Sequence, residues 1–216
     1  ETGGKTANNT KIPVTVVYSD DKGENWTTCE LDKIYTADYY YVKFFDSDNG
    51  VIVCGYAKSN DTNESSRIYS TSNGGESWDI VGSGPATNII KGVVYVSSDV
   101  GFFCYDYVEG MDSNLYKTDD GGKTFAKVML EEQELDSSAA NPQGQETETK
   151  TDSGKNGADS SEQLRWGDVY KEALTPVVDS TGIITIYLTQ GKNAVYNDGK
   201  TAAKYQSSDK GSTWKY

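Results

Sequence analysis

Short apolar runs alternate along the chain with polar segments that contain glycine. Runs such as Val51–Tyr56 and Gly101–Tyr107 are rich in β-branched and aromatic residues, which favour strands over helices. The polar segments between the runs are built from Gly, Asp, Asn and Ser, the residue types that form tight turns. The pattern therefore predicts an all-β chain with many turns.

One eight-residue pattern, [ST]-x-[DN]-x-G-x-[STN]-[WF], occurs four times, at 19–26, 71–78, 118–125 and 207–214. A Ser or Thr hydroxyl and an Asp or Asn oxygen can bond nearby backbone N–H groups and hold a compact turn. Glycine supplies a positive φ, and the aromatic residue begins the next strand. We predict four equivalent structural turns whose aromatic residues lie in the core. Their defining residues are Ser19, Asp21, Gly23 and Trp26; Thr71, Asn73, Gly75 and Trp78; Thr118, Asp120, Gly122 and Phe125; and Ser207, Asp209, Gly211 and Trp214.

The octet resembles the Asp-box, or bacterial neuraminidase repeat, of sialidases, sortilin-type receptor domains, xyloglucan hydrolases and photosystem assembly factors. The resemblance covers nearly the whole chain outside 131–165. It implies an all-β fold, a β-propeller of four-stranded antiparallel blades, with each box between the third and fourth strands of a blade. It also implies that the boxes lie away from the binding face.

The box spacing indicates how the blades are arranged. The third box positions, Asp21, Asn73, Asp120 and Asp209, are 52, 47 and 89 residues apart. The first two intervals suit one four-stranded blade, whereas the third fits a blade plus an insertion. Residues 131–165 have the polar composition of a flexible low-complexity insertion, and 1–11 are expected to form a disordered tail. We predict that 1–216 forms a single propeller domain, or a fragment of one, and that the tail and the insertion are parts of this range.

Fourteen strands are predicted, which is three and a half blades, so that the propeller would have about four. The chain would either close as an irregular four-bladed ring or be part of a longer one. The predicted strands are 14–18 and 26–31; 41–46, 51–56, 67–70 and 77–81; 93–97, 101–107, 114–117 and 124–130; and 173–178, 183–188, 202–206 and 213–216.

The negative charge of the chain limits the classes of molecule that it can bind. The formal net charge is -13 and the pI is about 4.4, so the surface repels nucleic acid and anionic membranes. No apolar stretch approaches the length of a membrane span. Given the resemblance, we expect a secreted or cell-surface protein. The sequence leaves its oligomeric state open.

Candidate chemistry is limited by what the chain contains. Sialidases grip the substrate carboxylate with three arginines, but Arg67 and Arg165 are the only two here. Asp106 with Glu109, or Asp168 with Glu172, could serve a glycoside hydrolase, although no sequence feature selects either pair. No His is present, Cys29, Cys54 and Cys104 form no metal-binding spacing, and the acids of 46–50 suit a turn better than calcium. No catalytic residue, cofactor or metal is predicted.

In a propeller, the loops joining strands two to three and four to one share a face. Here they are long, at 57–67, 105–114, 190–200, 32–40 and 131–172, and a ligand is expected there. The favoured hypothesis is a non-catalytic binding module for a protein or neutral glycan; the alternatives are a glycoside hydrolase-related propeller and an assembly-factor-like scaffold. The candidate ligand-binding residues are Tyr105, Tyr107, Tyr196, Trp166, Tyr39 and Tyr40.

Overall fold

The computed structural model describes residues 13–56, 66–133, 166–190 and 202–216. Within these ranges the chain is all-β, as predicted, with fourteen strands and one four-residue helix. The elements are β1 Thr15–Tyr18, β2 Thr27–Glu30, β3 Tyr39–Phe44, β4 Gly50–Gly55, β5 Ser66–Thr71, β6 Asp79–Ser83, β7 Ile90–Tyr95, β8 Gly101–Tyr105, β9 Leu115–Thr118, β10 Ala126–Lys127, α1 Trp166–Val169, β11 Glu172–Ala173, β12 Val177–Val178, β13 Ile184–Thr189 and β14 Ala203–Ser207.

The strands form four antiparallel sheets in chain order. Sheet 1 contains β1 and β2, sheet 2 has the order β3-β4-β5-β6, and sheet 3 has the order β7-β8-β9-β10. In sheet 4, β13 pairs with β14 on one side and with both β11 and β12 on the other. The first strand of sheet 4 is interrupted before Val177 because Pro176 has no N–H to donate to a ladder. The predicted last strand is reduced to an isolated bridge between Gln206 and Lys215.

Successive sheets stack face to face, with one hydrophobic cluster in each gap. The side chains of β4 show the arrangement: Ile52 and Cys54 belong to the cluster with sheet 1, and Val51 and Val53 to the cluster with sheet 3. Strand β8 repeats it, with Phe103 facing sheet 2 and Phe102 facing sheet 4. Because strands β4 and β8 are buried on both faces, their sequences are continuous apolar runs instead of alternating ones.

The two buried cysteines occupy different positions in their strands. Counted from Gly50 and Gly101, which begin β4 and β8, Cys54 is the fifth residue and Cys104 the fourth. They therefore point into different clusters, Cys54 toward sheet 1 and Cys104 toward sheet 4. Burial raises the pKa of both thiols to about 12. Both cysteines are thus protonated, small apolar side chains of the core.

The stack of sheets is open in the described part of the chain. No hydrophobic cluster there joins sheet 1 to sheet 4, and each outer face exposes apolar side chains. Val17 and Trp26 are exposed on sheet 1, and Val177 and Tyr187 on sheet 4. The predicted tail 1–11 and the insertion 131–165, apart from 131–133, lie outside the described residues. Among the described residues, no helix is long and apolar enough to cross a bilayer.

Candidate functional site: a pocket on the loop face

The four octets adopt the same hydrogen-bonded turn. In each, the first hydroxyl donates to the third-position Asp or Asn at 2.7–2.8 Å. The same hydroxyl accepts from the glycine N–H at 2.7–3.0 Å. The third-position oxygen also accepts the N–H four residues later at 2.8–3.1 Å. Each polar side chain is thus used to close its own turn.

The glycine of each octet has a conformational role. Its φ lies between 77° and 107° at Gly23, Gly75, Gly122 and Gly211, in the region that favours glycine over other residues. The preceding position also has a positive φ, yet Lys22 and Lys210 occupy it in two of the turns. The requirement for glycine is therefore strict only at the second of the two positions.

The hydrogen bonds within the octet turns keep the carboxylates of Asp21, Asp120 and Asp209 ionised. The N–H of Asn25, the largest contribution, lowers the pKa of Asp21 to about 2. The hydroxyl of Thr124 lowers the pKa of Asp120, and that of Thr213 lowers the pKa of Asp209. These shifts are the reverse of those expected for a general acid, so the box acids have a structural role.

The aromatic residue of each box packs toward the preceding sheet. Trp78 meets Phe44 edge-on in the cluster between sheets 1 and 2. Phe125 meets Phe103 between sheets 2 and 3, and Trp214 meets Phe102 between sheets 3 and 4. Trp26 belongs to sheet 1, which has no preceding sheet in the described residues, and it is 64% exposed. The prediction that all four aromatics are core anchors is therefore wrong for Trp26.

The connections lie on two opposite faces. The box turns share one face with the hairpins 45–49 and 96–100, as shown by the bonds from Gly74 N–H to the Asp48 carbonyl and from Gly121 N–H to the Asp99 carbonyl. The other face, called the loop face here, carries 31–38, 84–89, 106–114, 128–133 and 166–171. The N–H of Asp106 donates to the Ile89 carbonyl at 2.8 Å, which ties two of these loops together.

A pocket of about 470 Å³ opens on the loop face between sheets 3 and 4. The loop before β9 contributes Tyr107 and Met111, and the segment after β10 contributes Met129. Tyr170 completes the wall from the segment that follows α1. The chain has only two methionines, and both line this pocket. Methionine is a flexible, polarisable side chain that adapts to varied apolar ligands.

The floor of the pocket is held by Asn114. Its side-chain amide N–H groups donate to the carbonyls of Tyr105 at 2.8 Å and Ala173 at 3.0 Å, and its oxygen accepts the Ala173 N–H at 2.8 Å. Asn114 is buried, and these bonds join sheet 3 to sheet 4 directly below the pocket. A buried, fully bonded amide fixes one arrangement of its neighbours, so the floor is rigid.

Acidic residues surround the rim. Glu109, Asp112 and Glu132 are exposed there. Lys171 pairs with Glu109 at 2.9 Å, and Lys127 pairs with Asp112 at 2.8 Å and lowers the pKa of that carboxyl. Ion pairs this exposed contribute little stability, and each lysine offsets the charge of one carboxylate. With one more carboxylate than lysine among these residues, the rim favours neutral or basic ligands over acidic ones.

The candidate ligand-binding residues are distributed over the whole molecule. Tyr107 lines the pocket, whereas Tyr105 is fully buried between sheets 2 and 3 with its hydroxyl 3.2 Å from that of Ser66. Tyr39 bridges the same sheets by accepting the Val93 N–H at 2.9 Å, and Tyr40 is exposed on β3. A surface ligand cannot reach Tyr105, so this structure corrects its assignment to that of a core residue.

Two other candidates lie outside what is described: Tyr196, and the side chain of Trp166, whose backbone begins α1. Sequence reasoning missed Met111 and Met129. The only two methionines of the chain lie in or next to predicted long loops. This position in the sequence does not indicate that they line the same pocket.

Among the acids and arginines considered for catalysis, Asp106, Glu109 and Arg67 have structural partners, whereas the side chain of Asp168 lies outside what is described. Asp106 pairs with Lys91 at 2.7 Å, and Glu109 pairs with Lys171. Arg67 donates to the Lys33 carbonyl at 2.7 Å, and Arg165 lies outside the described residues. The Asp46 carboxylate accepts the N–H groups of Asp48 and Asn49. Across the described ranges, no three His, Cys, Asp or Glu side chains are placed to hold a metal ion.

No protein-family model and no curated protein matches the chain. Among solved structures, it is similar to a crystal structure of a GH74 enzyme of Niastella koreensis, with a TM-score of 0.46 and 16% identity over 93% of this chain and 25% of that one. It is also similar to YCF48 bound to D1 peptide, with a TM-score of 0.38 and 14% identity over 95% of this chain and 62% of that one. The chain thus spans less than two thirds of either protein, and similarity of this degree assigns it neither substrate nor partner.

Proposed function

We propose that the chain is a non-catalytic binding module on an Asp-box β-propeller scaffold of about four blades, and that it binds a protein segment in the loop-face pocket. The scaffold proposal is supported by four turns with the same hydrogen bonds and by successive antiparallel sheets stacked face to face. We also propose that the module acts outside the cytoplasm, at the cell surface or secreted, as the box resemblance suggests.

The observation that carries the binding proposal is the composition of the pocket. Met111, Met129 and Tyr107 provide apolar surface beside the rigid, hydrogen-bonded floor made by Asn114. The lining is mixed, with acidic and amide side chains beside these apolar ones, and concave surface that combines apolar area with fixed polar groups is typical of ligand sites. The acidic rim favours a segment that is neutral or carries Lys or Arg, and it disfavours sialic acid and phosphorylated ligands.

A neutral glycan is the second candidate ligand, and Tyr107 is the observation that favours it. A half-buried tyrosine at the mouth of a pocket offers a ring face to a sugar and a hydroxyl to its polar groups. A hydrolytic role for the rim is less well supported. Asp112 has a lowered pKa, whereas a glycoside hydrolase needs one carboxyl with a raised pKa. A scaffold role in assembly would use the same pocket for a protein partner.

Binding is tested with a peptide array and a neutral-glycan array, followed by variants of the pocket. Tyr107→Ala and Met129→Ala should each weaken the best ligand by about tenfold, because each removes apolar contact area from the interface. Tyr187→Ala, on the outer face of sheet 4, is the matched control and should leave affinity unchanged.

Thermal unfolding of all three variants should match the wild type, since none of these side chains is in a hydrophobic cluster. Equal weakening by Tyr187→Ala, or full affinity in both pocket variants, would contradict the proposed site. Hydrolysis of a neutral oligosaccharide that is lost on changing Glu109 or Glu132 to Gln would replace the binding role with an enzymatic one.

A further inference from the structure

Sheet 1 contains counterparts of only two of the strands found in sheets 2 and 3. The box turn lies between the third and fourth strands in those sheets, and in sheet 1 it lies between β1 and β2. Strands β1 and β2 therefore correspond to third and fourth strands. In the described part of the chain, β1 pairs only with β2, so its other edge carries N–H and C=O groups outside any ladder.

Next to this edge, β3 presents a row of apolar side chains on the sheet 1 side. Tyr39 and Tyr41 point toward sheet 3, where their hydroxyls accept backbone N–H groups, so Tyr40, Val42 and Phe44 point the opposite way. These three are all exposed, Val42 to 57%. The row continues the existing cluster between sheets 1 and 2, which ends at Trp78 against Phe44.

In sheet 3, the corresponding row of side chains on β7 is covered by the neighbouring sheet. On β7, Val93 and Tyr95 face sheet 2 in the same way, and they are only 5% and 0% exposed. The hairpin β3–β4 provides that cover through Tyr39, Tyr41, Val51 and Val53. A two-stranded hairpin is thus the element that buries this kind of surface in this molecule.

Trp78 lies at the end of this row, against Phe44. Its side chain is buried at 8% exposure, and its indole N–H has no hydrogen-bond acceptor among the described residues. A buried N–H without an acceptor destabilises the fold, and most such groups in proteins are bonded. Because the Trp78 ring contacts Phe44, a strand that covers the exposed row would change the surroundings of the indole, although its nitrogen is itself shielded from the surface.

We propose that the outer edge of β1 and the row Tyr40, Val42 and Phe44, together called the β1–β3 surface, bind a β-hairpin of another polypeptide by strand addition. One strand of the hairpin pairs with β1, and alternate apolar side chains of both strands cover the row. A second copy of this chain does not fit. Antiparallel pairing of β1 with itself places both copies of sheet 2 on the same side of the joined sheet, where they would collide.

The test uses a synthetic peptide of residues 39–55 with Cys54→Ser, because that hairpin holds the corresponding position in sheet 2. Added to the full chain, the peptide should slow amide hydrogen exchange at Thr15–Tyr18 in a saturable way. It should also shift the Trp78 indole N–H resonance. A scrambled peptide of the same composition is the first control.

Val42→Asp should weaken peptide binding about tenfold or more, since it places a charge in the covered row. Val177→Asp is the matched control, because Val177 is also a strand valine and is 59% exposed. It should leave binding unchanged. Val42→Thr, a milder change, should give an intermediate affinity, and unfolding curves should show all three variants folded.

Three results would overturn the proposal: no protection of β1, equal binding of the scrambled peptide, or undiminished binding by Val42→Asp. Concentration-dependent dimerisation that Val42→Asp abolishes would also overturn it, because the occupant would then be a second copy.

Discussion

At the residue scale, the fold depends on side chains that close turns and on their ionisation. Asp21, Asp120 and Asp209 accept turn hydrogen bonds as carboxylates, and Asn73 does the same work as a neutral amide. Asn73 also donates from its amide nitrogen to Ser77 at 2.9 Å, in the place of the bond that Thr124 donates to Asp120. The turn therefore needs an acceptor at the third position but not a charge.

Because asparagine can replace aspartate at the third position of the octet, we can predict how the stability of the fold responds to acid. The three aspartates have lowered pKa values in the fold, so their stabilising effect is complete above the ordinary value of 3.8. It is lost as the pH falls through the lower folded value, which for Asp21 is about 2. Asp120→Asn should keep the turn and remove one part of this acid sensitivity, whereas Asp120→Ala should lower stability at every pH.

The measurement is the urea midpoint of the wild type and both variants from neutral pH down to about pH 2.5. The loss of stability on acidification should be smaller for Asp120→Asn than for the wild type. An Asp120→Asn variant as unstable as Asp120→Ala at neutral pH would show that the charge, not the acceptor, holds the turn.

At the element scale, the box aromatic joins each sheet to the one before it, and its importance depends on whether that sheet is present. Trp78 is buried against Phe44, whereas Trp26 is mostly exposed. Trp78→Ala should cost about 3–5 kcal/mol, as expected for a large buried aromatic. Trp26→Ala should cost less than about 1 kcal/mol, as expected for an exposed side chain.

Urea unfolding of the two tryptophan variants checks this difference. Similar large losses in both would contradict the conclusion that the importance of the aromatic residue depends on a preceding sheet. Similar small losses in both would mean that the cluster between sheets 1 and 2 contributes little to the fold.

The sequence predicted the elements well because turns and strands have local signals. The octets located four turns, and the apolar runs located thirteen of the fourteen predicted strands with ends displaced by a few residues. The predicted strand 173–178 is divided into β11 and β12, and the predicted strand 213–216 forms only an isolated bridge. Tyr105 was misassigned because G-F-F-C-Y is a strand buried on both faces, and an aromatic at its end looks the same in sequence as an aromatic in the following loop. Trp26 was misassigned because its burial depends on a neighbouring sheet, not on its own octet.

At the scale of the whole molecule, the functional surface depends on contacts between segments far apart in sequence. Met111, Met129 and Tyr170 line one pocket because the hydrophobic cluster and the hydrogen bonds of Asn114 hold sheet 4 against sheet 3. No local pattern indicates such a meeting, which is why the sequence predicted a long loop around Tyr107 but not the pocket that this loop lines. The acidic charge was visible from composition, and the structure places part of it on the rim.

The most direct test of the central claim, that the loop face carries the binding site, is hydrogen exchange of the chain with and without its best array ligand. We predict slower exchange in 106–114 and 128–133, the two described segments that form most of the pocket wall. The box turns 72–78 and 119–125, on the opposite face, should exchange as before. Protection confined to the box turns, with 106–114 and 128–133 unchanged, would contradict the account.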